Sequence, residues 1–418
     1  MTTSTSHDVI IAGAGIAGST LALALKQGGL TPLLIDPQPF DAQLEPTFDG
    51  RSSAISFSSF RAWDAIGVGD DLRAHVQRIE QILVTDGHSA GAAAPRPSPF
   101  FLRFDASEIA DRVNSEPLGY MIENRRIRAG LSRAIEAAGI AVLAPARIAT
   151  ADFGAAGGAC VQLDDGRTFS APLLVAAEGR GSPLRAMAGI ETIGWGYGQS
   201  GVVATVRLEK PHGGVAHEHF LPSGPFAILP LSDNRASLVW TEKTLAADAL
   251  RGARPEVVLS LLRRRFGDFL GRIEVVSPVF VYPLSLQLAE RLTANRLAVL
   301  GDAAHAIHPI AGQGLNLGLK DAAALSQVLV DAARLGEDIG SAMVLERYAA
   351  WRRFDTASVA AAMEVFTRLF SNDIAPLRLA RGLGMAAVNR IGVARRFFMQ
   401  EAGGAVGELP RLLRGEAL

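Results

Sequence analysis

The N-terminal segment contains the pattern that most restricts the fold of this chain. An apolar run at Asp8–Ala12 is typical of a buried strand, and a glycine-rich turn follows it directly. Ser19–Gln27 has helical apolar spacing, and Thr31–Ile35 is a second strand-like run that ends at Asp36. This order predicts a βαβ unit in a parallel sheet. That is the context in which a G-x-G-x-x-G turn binds a dinucleotide.

The turn is Gly13-Ala14-Gly15-Ile16-Ala17-Gly18, and its glycines have different physical tasks. Gly13 permits a tight turn, Gly15 lets backbone approach a pyrophosphate, and Gly18 allows the helix to pack closely on the strand. Ala17 belongs to the same predicted site, where free N–H groups at the helix start face the phosphates. Asp36 is placed to accept hydrogen bonds from a ribose hydroxyl. The pattern predicts a dinucleotide site without deciding between FAD and NAD.

A second motif follows another strand-like run at Leu297–Leu300. Gly301-Asp302 ends that run, and a helix is predicted from near Gly314 to about Leu335. An acid at a strand end can bind sugar or ribityl hydroxyls. Glycines beside a helix start leave backbone N–H groups free to meet an electron-rich oxygen. In a flavin that oxygen lies on the N1–C2=O edge, which becomes negative on reduction.

The composition disfavours several other classes of protein. The chain has 418 residues, 41 basic and 42 acidic side chains and a net charge of -1, which argues against a nucleic-acid partner. With 49% hydrophobic residues it can fill large cores. The single cysteine, Cys160, forms no internal disulfide, and no Cys/His spacing is typical of a metal site. No apolar stretch is long enough to span a bilayer. We therefore expect a cytoplasmic protein without a metal.

The second motif carries a resemblance to a known family. Gly301-Asp302-Ala-Ala-His305, followed by His-Pro-Ile-Ala-Gly-Gln-Gly-Leu-Asn-Leu-Gly-Leu-Lys-Asp at 308–321, resembles the signature of the ubiquinone-biosynthesis hydroxylases. These are FAD-dependent (class A) aromatic monooxygenases of the 4-hydroxybenzoate hydroxylase fold. Further segments that resemble this family are Asp49–Ser56, Tyr120–Asn124, Tyr197–Gln199, Gly224–Leu231 and Ser237–Trp240. The resemblance implies an α/β fold: a Rossmann-like FAD-binding domain, an inserted β-sheet substrate domain and a helical C-terminus.

The resemblance also implies which residues contact the cofactor. Gly13, Gly15 and Gly18 would hold the FAD pyrophosphate, and Asp36 would bind the adenosine ribose. Further FAD contacts are implied for Arg51, Asn124, Gly301, Asp302, Pro309, Gly312, Gly314, Leu315 and Asn316. Two of these have ordinary structural alternatives, because Arg51 could form a surface ion pair and Asn124 could cap a helix.

The predicted catalytic residues are His305 and Pro309. Pro309 lies where relatives run the chain past the reactive carbon of the flavin. His305 and the nearby His308 invite an acid–base interpretation. The alternative is that both histidines pack and form hydrogen bonds around the flavin loop.

The implied chemistry is hydroxylation of an aromatic ring through a flavin C4a-hydroperoxide, with O₂ as co-substrate. An electron-rich phenol ring attacks the distal oxygen, and the site must exclude water. Glu178-Gly179 departs from the Asp-Gly of the family at a motif linked to nicotinamide use. The reductant is therefore either NAD(P)H, visiting transiently, or a separate electron-transfer protein.

The order of the patterns predicts a discontinuous domain organisation. The FAD-binding domain is expected at 1–75, 115–185 and 280–345. The substrate-binding sheet is expected at 76–114 and 186–279, and a helical region at 346–418. Candidate pocket-lining residues are Tyr197, Gln199, Phe226, Leu229 and Trp240, each with ordinary core packing as its alternative.

The C-terminal region interleaves arginines with aromatic and aliphatic residues. Such a region either lies on the inner face of the cytoplasmic membrane or packs on the FAD domain with a solvated basic face. The predicted substrate is a hydrophobic polyprenyl-phenol, and other ubiquinone-pathway enzymes are candidate partners. Rival functions are hydroxylation of a small soluble aromatic, a non-oxygenating FAD oxidoreductase of the same fold, and a scaffold that only binds FAD.

Overall fold

Four β-sheets and ten α-helices make up the described part of the chain. The computed structural model describes residues 7–45, 48–88, 96–108, 116–154, 158–221, 223–308, 312–370, 403–404 and 407–418. The strands are β1 (Val9–Ala12), β2 (Pro32–Ile35), β3 (Ser52–Ser56), β4 (Gln77–Ile79), β5 (Gln81–His88), β6 (Arg96–Asp105), β7 (Gly119–Glu123), β8 (Ala141–Leu143), β9 (Ile148–Asp152), β10 (Ala159–Leu163), β11 (Thr168–Ala171), β12 (Leu173–Ala176), β13 (Thr192–Leu208), β14 (Val215–Leu221), β15 (Gly224–Leu231), β16 (Arg235–Lys243), β17 (Ile273–Val275), β18 (Phe280–Ala289), β19 (Thr293–Ala294), β20 (Leu297–Val299) and β21 (His305–Ala306). The helices are α1 (Ile16–Gln27), α2 (Phe40–Leu44), α3 (Phe57–Ala65), α4 (Gly69–Arg73), α5 (Asn124–Ala137), α6 (Pro183–Met187), α7 (Thr244–Asp248), α8 (Pro255–Phe266), α9 (Gln313–Arg334) and α10 (Ala342–Phe370).

The first sheet is built on parallel strands and organises the dinucleotide motif. Its strand order is β19-β20-β12-β1-β2-β8, and every neighbouring pair is parallel except β19–β20. Strands β1, β2, β12 and β20 are buried along their whole length. Their almost wholly apolar sequences follow from this burial on both faces. Helices α1, α5 and α9 and the small antiparallel sheet β9–β11 pack with it in one hydrophobic core.

The second large sheet is mixed and has nine strands. Its order is β21-β18-β13-β16-β15-β14-β5-β6, with β17 added beside β13. One set of alternating side chains packs under α7 and α8, in a core that includes Val202, Leu238 and Val258. The other set, with Ala216 and Leu231, faces the three-stranded sheet β3-β7-β4. The nine-stranded sheet therefore has one face covered by helices and one face toward the sheet β3-β7-β4.

Strand pairing bears on two of the predicted domain boundaries. β18, assigned to the FAD domain by the prediction of 280–345, pairs with β13 and extends the nine-stranded sheet to Ala289. β4, inside the predicted insertion 76–114, pairs with β7, and the strand of that insertion that joins the nine-stranded sheet beside β14 is β5. Neither pairing follows from the sequence, because the apolar pattern of a single strand does not indicate which sheet it joins.

The predicted helical C-terminus lies only partly within the described residues. α10 extends to Phe370, and a short 3₁₀ turn at Arg411–Arg414 packs Leu412 and Leu413 against Ala24 and Ala62. Residues 371–402 are outside the described residues. Among the described residues, none of the helices is both long and apolar enough to cross a membrane.

Candidate functional site

The predicted cofactor residues meet at the carboxyl edge of the parallel sheet. Gly13 follows β1, Asp36 follows β2, Glu178 lies just beyond β12, and Gly301 lies just beyond β20. Because these four strands are parallel, their C-terminal ends point the same way. Ligands of open α/β sheets bind at this edge.

The three glycines of the first turn are required for different reasons. Gly13 has φ +102°, and a Cβ there would lie 2.4 Å from the carbonyl oxygen of Ala177. A Cβ at Gly18 would lie 2.1 Å from the carbonyl oxygen of Gly13, so helix α1 can approach the turn only without a side chain there. A Cβ at Gly15 would meet no protein atom within 4 Å. The open space at Gly15 therefore fits a ligand that contacts backbone.

Helix α1 begins without a side-chain cap, so its first N–H groups are left for a ligand. Asp36 shapes the adjoining turn, because its Oδ2 accepts the Ala14 N–H at 2.7 Å and its Oδ1 accepts the Gln38 N–H at 2.7 Å. Each carboxylate oxygen keeps a second lone pair. An uncapped helix start beside a buried acid fits a pyrophosphate followed by a ribose.

The loop after β20 is held by a buried ionic cluster. Asp321 of α9 is fully buried, and its carboxylate accepts the Gly301 N–H at 2.9 Å and the Arg352 Nε–H at 2.8 Å. His305 Nε2 lies 2.6 Å from Asp321 Oδ2, and the imidazole is also fully buried. The cluster fixes the Gly301 turn and leaves the neighbouring Asp302 exposed. Among the described residues, none donates a hydrogen bond to the Asp302 carboxylate.

Burial and charge act in opposite directions within this cluster. Burial by itself raises the pKa of the Asp321 carboxyl, but the positive charges and hydrogen bonds of His305 and Arg352 outweigh it and lower the pKa. Burial lowers the pKa of His305, but Asp321 outweighs it and raises the pKa above its usual value. With its ring enclosed against Asp321, His305 is placed to support the loop. This geometry favours the packing alternative, and its catalytic role stays a prediction.

Helix α9 begins at Gln313, one residue before the predicted start, after Gly312 in the left-handed conformation with φ +64°. Among the described residues, no side chain caps this start, so the N–H groups of Gly314 and Leu315 lie in an uncapped first turn. The Asn316 amide anchors the turn to β3, donating to Ala54 O at 2.9 Å while its oxygen accepts the Ser56 N–H at 2.9 Å. These positions fit N–H groups presented to the pyrimidine edge of a flavin.

The two uncapped helix starts lie close together. A Cβ at Gly318 would lie 3.2 Å from Gly301 Cα and 3.5 Å from Ala17 Cβ, and a Cβ at Gly301 would lie 3.5 Å from Ala17 Cβ. Ala17 of α1 therefore lies where α1 meets α9 and the Gly301 turn. A cofactor that spans both helix starts would pass along this junction.

A second buried acid, Asp49, gathers the residues predicted around the pyrophosphate. Its carboxylate accepts from Arg51 Nε at 2.9 Å, Arg128 Nη2 at 2.6 Å and Asn124 Nδ2 at 3.2 Å, and the Tyr282 hydroxyl lies 3.4 Å away. Burial raises the pKa of the Asp49 carboxyl, but the two arginines outweigh it and hold that pKa well below its usual range. Asp49 thus places Arg51 and Asn124 together beside the cofactor edge.

The surface ion pair considered for Arg51 is present in the structure, whereas the helix cap considered for Asn124 is not. Arg51 does form an ion pair, with a half-exposed side chain that also lies over the Tyr282 ring at 5.0 Å. Asn124 is the first residue of α5, but its side chain binds Asp49 and Ser53 rather than capping the helix. Arg51 therefore keeps one face available for an anion.

The loop that leads into α9 is described only to His308. His308 is fully buried, and burial lowers its pKa to about 4. Within the described part of the chain, its two ring nitrogens have no hydrogen-bond partner. Its ring meets the Tyr197 ring edge-on at 5.3 Å. Pro309, the other predicted catalytic residue, lies outside the described residues.

The predicted substrate residues divide between the two faces of the sheet. Leu229 lies on the face toward the FAD-binding part, and Tyr197 packs near the flavin loop and donates to Glu364 at 2.7 Å. Phe226 and Trp240 lie in the core under α7 and α8, which favours their core-packing alternative. Gln199 donates from its Nε2 to Ser223 O at 2.8 Å.

Sequence reasoning assigned no role to Asp49, Asp321 or Arg352. Asp49 and Asp321 both lie inside segments that resemble the family, next to residues that were assigned roles. Asp321 also carried its own signal, since it follows Leu317 on the apolar side of a predicted helix, where an acid requires a partner. Arg352 had no such signal, because its partner is distant in sequence. In the described ranges, no three His, Cys, Asp or Glu side chains are grouped as a metal site requires.

Comparison with known proteins agrees with this geometry. Residues 6–362 match the family model described as the FAD binding domain. The chain belongs to this family. It is 45% identical over 415 residues to the ubiquinone hydroxylase UbiL of Rhodospirillum rubrum, covering 98% of this chain and 93% of that protein. It is 35% identical over 396 residues to the 3-demethoxyubiquinol 3-hydroxylase of Escherichia coli, covering 93% and 96%.

The solved structures support the fold. The p-nitrophenol 4-monooxygenase PnpA from Pseudomonas putida superposes with a TM-score of 0.77 and 17% identity, over 97% of this chain and 99% of that one. At this identity the likeness shows a shared fold. The predicted family and the predicted α/β fold of FAD-dependent monooxygenases are confirmed.

The glycine geometry separates loss of cofactor from loss of fold. We expect Gly15→Val to fold but to bind FAD at least about tenfold more weakly, since its side chain occupies the open space without touching protein. Gly18→Val should neither fold normally nor bind FAD, because its Cβ would meet the Gly13 carbonyl oxygen at 2.1 Å. The ratio of flavin to protein absorbance and the far-ultraviolet circular dichroism measure the two effects. A Gly15→Val protein with the normal flavin content would contradict the placement.

The buried cluster predicts a large and pH-dependent effect for Asp321→Asn. Removing one partner of a buried ion pair costs about 3 to 5 kcal/mol, so we expect a markedly lower melting temperature and reduced flavin content. Because the folded pKa of Asp321 is lowered, its stabilisation is present above the ordinary pKa of 3.8 and is lost as the pH falls below it. The difference between wild type and variant should therefore shrink in acid.

Asp331→Asn is the matched control for this experiment. Asp331 lies on the same helix, is partly exposed and pairs with Arg411 at the surface. Such pairs contribute about 0 to 1 kcal/mol. Equal melting temperatures for the two variants at neutral pH would show that the cluster is not a main support of the loop.

Proposed function

We propose that this protein is an FAD-dependent monooxygenase that hydroxylates the aromatic ring of a polyprenylated phenol in ubiquinone biosynthesis. The observation that carries the proposal is the convergence of two uncapped helix starts, at Gly15 and Gly312, on one edge of the parallel sheet. Relatives at 45% and 35% identity that are named as ubiquinone-pathway hydroxylases support the same reaction class.

The residues present fit FAD along its whole length. The start of α1 and Gly15 would hold the pyrophosphate, and Asp36 the adenosine ribose. Asp302 and Arg51 would contact the ribityl and phosphate part, and the start of α9 the pyrimidine edge. When bound, FAD supplies the redox chemistry that transfers one atom of O₂ to the ring.

The chain's own contribution to the reaction is orientation and exclusion of water. The wall opposite the flavin edge is apolar, with Leu229, Leu231 and Met121 packed around Ala54, which lies against Gly312. An apolar wall suits an aromatic ring with a hydrocarbon tail and keeps water from the reacting oxygen. The described residues offer few acid–base groups near this wall, as expected where the cofactor performs the chemistry.

The electron donor is proposed to be NAD(P)H or a separate electron-transfer protein. Glu178, which departs from the family pattern, accepts the Ser182 hydroxyl at 2.5 Å and the Leu184 N–H at 3.1 Å. Burial raises the pKa of its carboxyl. Glu178 therefore stabilises the start of α6, and its contacts favour neither NAD(P)H nor a separate protein as the electron donor. Peripheral contact with a membrane also stays a prediction, because most of the C-terminal segment that would make it lies outside the described residues.

The proposed reaction is tested with purified, FAD-loaded protein and a phenol that carries a short prenyl tail. We expect substrate-dependent oxygen consumption with NADPH, NADH or an added reductase system, and a product heavier by one oxygen atom. A simple phenol without the tail should react more slowly by about tenfold or more, since burial of each CH₂ contributes about 0.8 kcal/mol.

The outcomes of this experiment distinguish the proposed reaction from the three rival functions. Equal rates with and without the tail would favour a hydroxylase of small soluble aromatics. Flavin reduction without oxygen transfer would favour a non-oxygenating oxidoreductase. Bound FAD with no redox turnover under any donor would favour a scaffold.

A further inference from the structure

One acidic side chain, Glu218, faces the proposed substrate site and has no partner among the described residues. Glu218 lies in the middle of β14, between β15 and β5 in the nine-stranded sheet. Among the described residues, it forms no hydrogen bond and no ion pair. Acids in such positions are rarely tolerated unless they serve a function, because burying an unpaired carboxylate is costly.

The register places Glu218 on the face toward the FAD-binding part. Glu218 is paired with Ala227 of β15 and Val84 of β5. Side chains two apart on a strand share a face, so Glu218 lies beside Ala216. Ala216 belongs to the apolar cluster that includes Ala54, and Ala54 Cβ would lie 3.0 Å from a Cβ at Gly312. The face that bears Glu218 therefore looks toward the start of α9.

The surroundings keep this acid neutral at physiological pH. Burial alone raises the pKa of Glu218 to about 8, and no charged group contributes to the shift. The side chain nevertheless retains some solvent-accessible surface.

Among the described residues, no neighbouring cation holds Glu218 as a carboxylate. His217 and His219 point to the opposite face of the sheet, and burial lowers the pKa of each to about 4, so both are neutral. On the face that bears Glu218, the described side chains of the neighbouring strands β15, β5 and β6 are apolar. Those of β5 and β6 are Ile82, Val84, Leu102 and Phe104. The side chain of Asp86 lies outside the described residues. The charged side chains of the elements that pack against this face already have partners. Arg78 pairs with Glu80 and Arg235 with Glu123, and Glu364 accepts a hydrogen bond from the Tyr197 hydroxyl.

We propose that Glu218 binds the substrate by donating a hydrogen bond from its neutral carboxyl group to an oxygen substituent of the aromatic ring. The proposal rests on the proposed function and names the polar group that fixes the ring in its apolar cavity. A neutral carboxylic acid in an apolar site is a strong donor, whereas a carboxylate there could only accept. One directed hydrogen bond on a flat wall would decide which edge of the ring approaches the flavin.

The test uses the full-length, FAD-loaded protein and three variants. Glu218→Gln keeps a neutral donor of similar shape, and Glu218→Leu keeps volume without a donor. Glu274→Gln is the matched control, because Glu274 lies on the exposed surface of β17 in a pair with Arg207. The dissociation constant of the prenylated phenol is measured from the change in flavin absorbance on binding, between pH 6 and 9. Oxygen consumed per product formed is measured in parallel.

The expected changes in affinity and in oxygen coupling follow from loss of the hydrogen bond between Glu218 and the substrate. Glu218→Leu should weaken binding about tenfold and release more of the oxygen as hydrogen peroxide. Glu218→Gln and Glu274→Gln should remain within about threefold of wild type. Wild-type affinity should fall as the pH rises through about 8, where Glu218 loses its proton, and Glu218→Gln should show no such fall. The phenol itself titrates at about pH 10 and does not mask the effect.

Two results would overturn the inference. The first is unchanged affinity and unchanged oxygen coupling in Glu218→Leu. The second is equal damage in Glu218→Gln and Glu218→Leu, since a carboxylate rather than a neutral donor would then be required. If wild type hydroxylates the phenol while either result holds, only the role of Glu218 fails. If wild type does not hydroxylate it, the proposed function itself fails.

Discussion

The carboxylate of Asp321 is the interaction on which the site depends most. It joins the Gly301 turn, His305 and Arg352, and so connects the strand β20 with helices α9 and α10. A buried charge is tolerated only with close partners, so all of these segments must be in place in the folded protein. Once they do, the positions of Asp302 and of the uncapped start of α9 are set, and with them one end of the cofactor site.

The second constraint is the division of the substrate sheet into two faces. One face is filled by α7 and α8, and the other packs toward the sheet β3-β7-β4 and, in the proposed site, faces the flavin edge. The second face is apolar apart from a few polar groups, among them Glu218 and the Tyr197–Glu364 pair. Such a wall gives little scope for acid–base catalysis and much for orientation. This is consistent with a reaction whose difficult steps belong to the cofactor.

Local sequence patterns predicted the parts of the fold that local physics determines. The G-x-G-x-x-G turn predicted β1, α1 and β2 to within a few residues, and the glycines before Asn316 predicted the start of α9 to within one. Periodicity in one strand could not show that β18 joins the nine-stranded sheet. Aromatic residues in the predicted strands could not be assigned to a face, and Phe226 and Trp240 turned out to lie under the helices. Long-range partners such as Arg352 were missed for the same reason, since spacing in sequence carries no information about them.

In the proposed site, FAD lies between the starts of α1 and α9 on the carboxyl edge of the parallel sheet. A crystal structure of the purified protein with its flavin would show where the cofactor binds. We expect the pyrophosphate in contact with the backbone of Gly15, and the pyrimidine edge of the ring at the N–H groups of Gly314 and Leu315. Density for the flavin ring away from α9, or a pyrophosphate that does not approach Gly15, would contradict it.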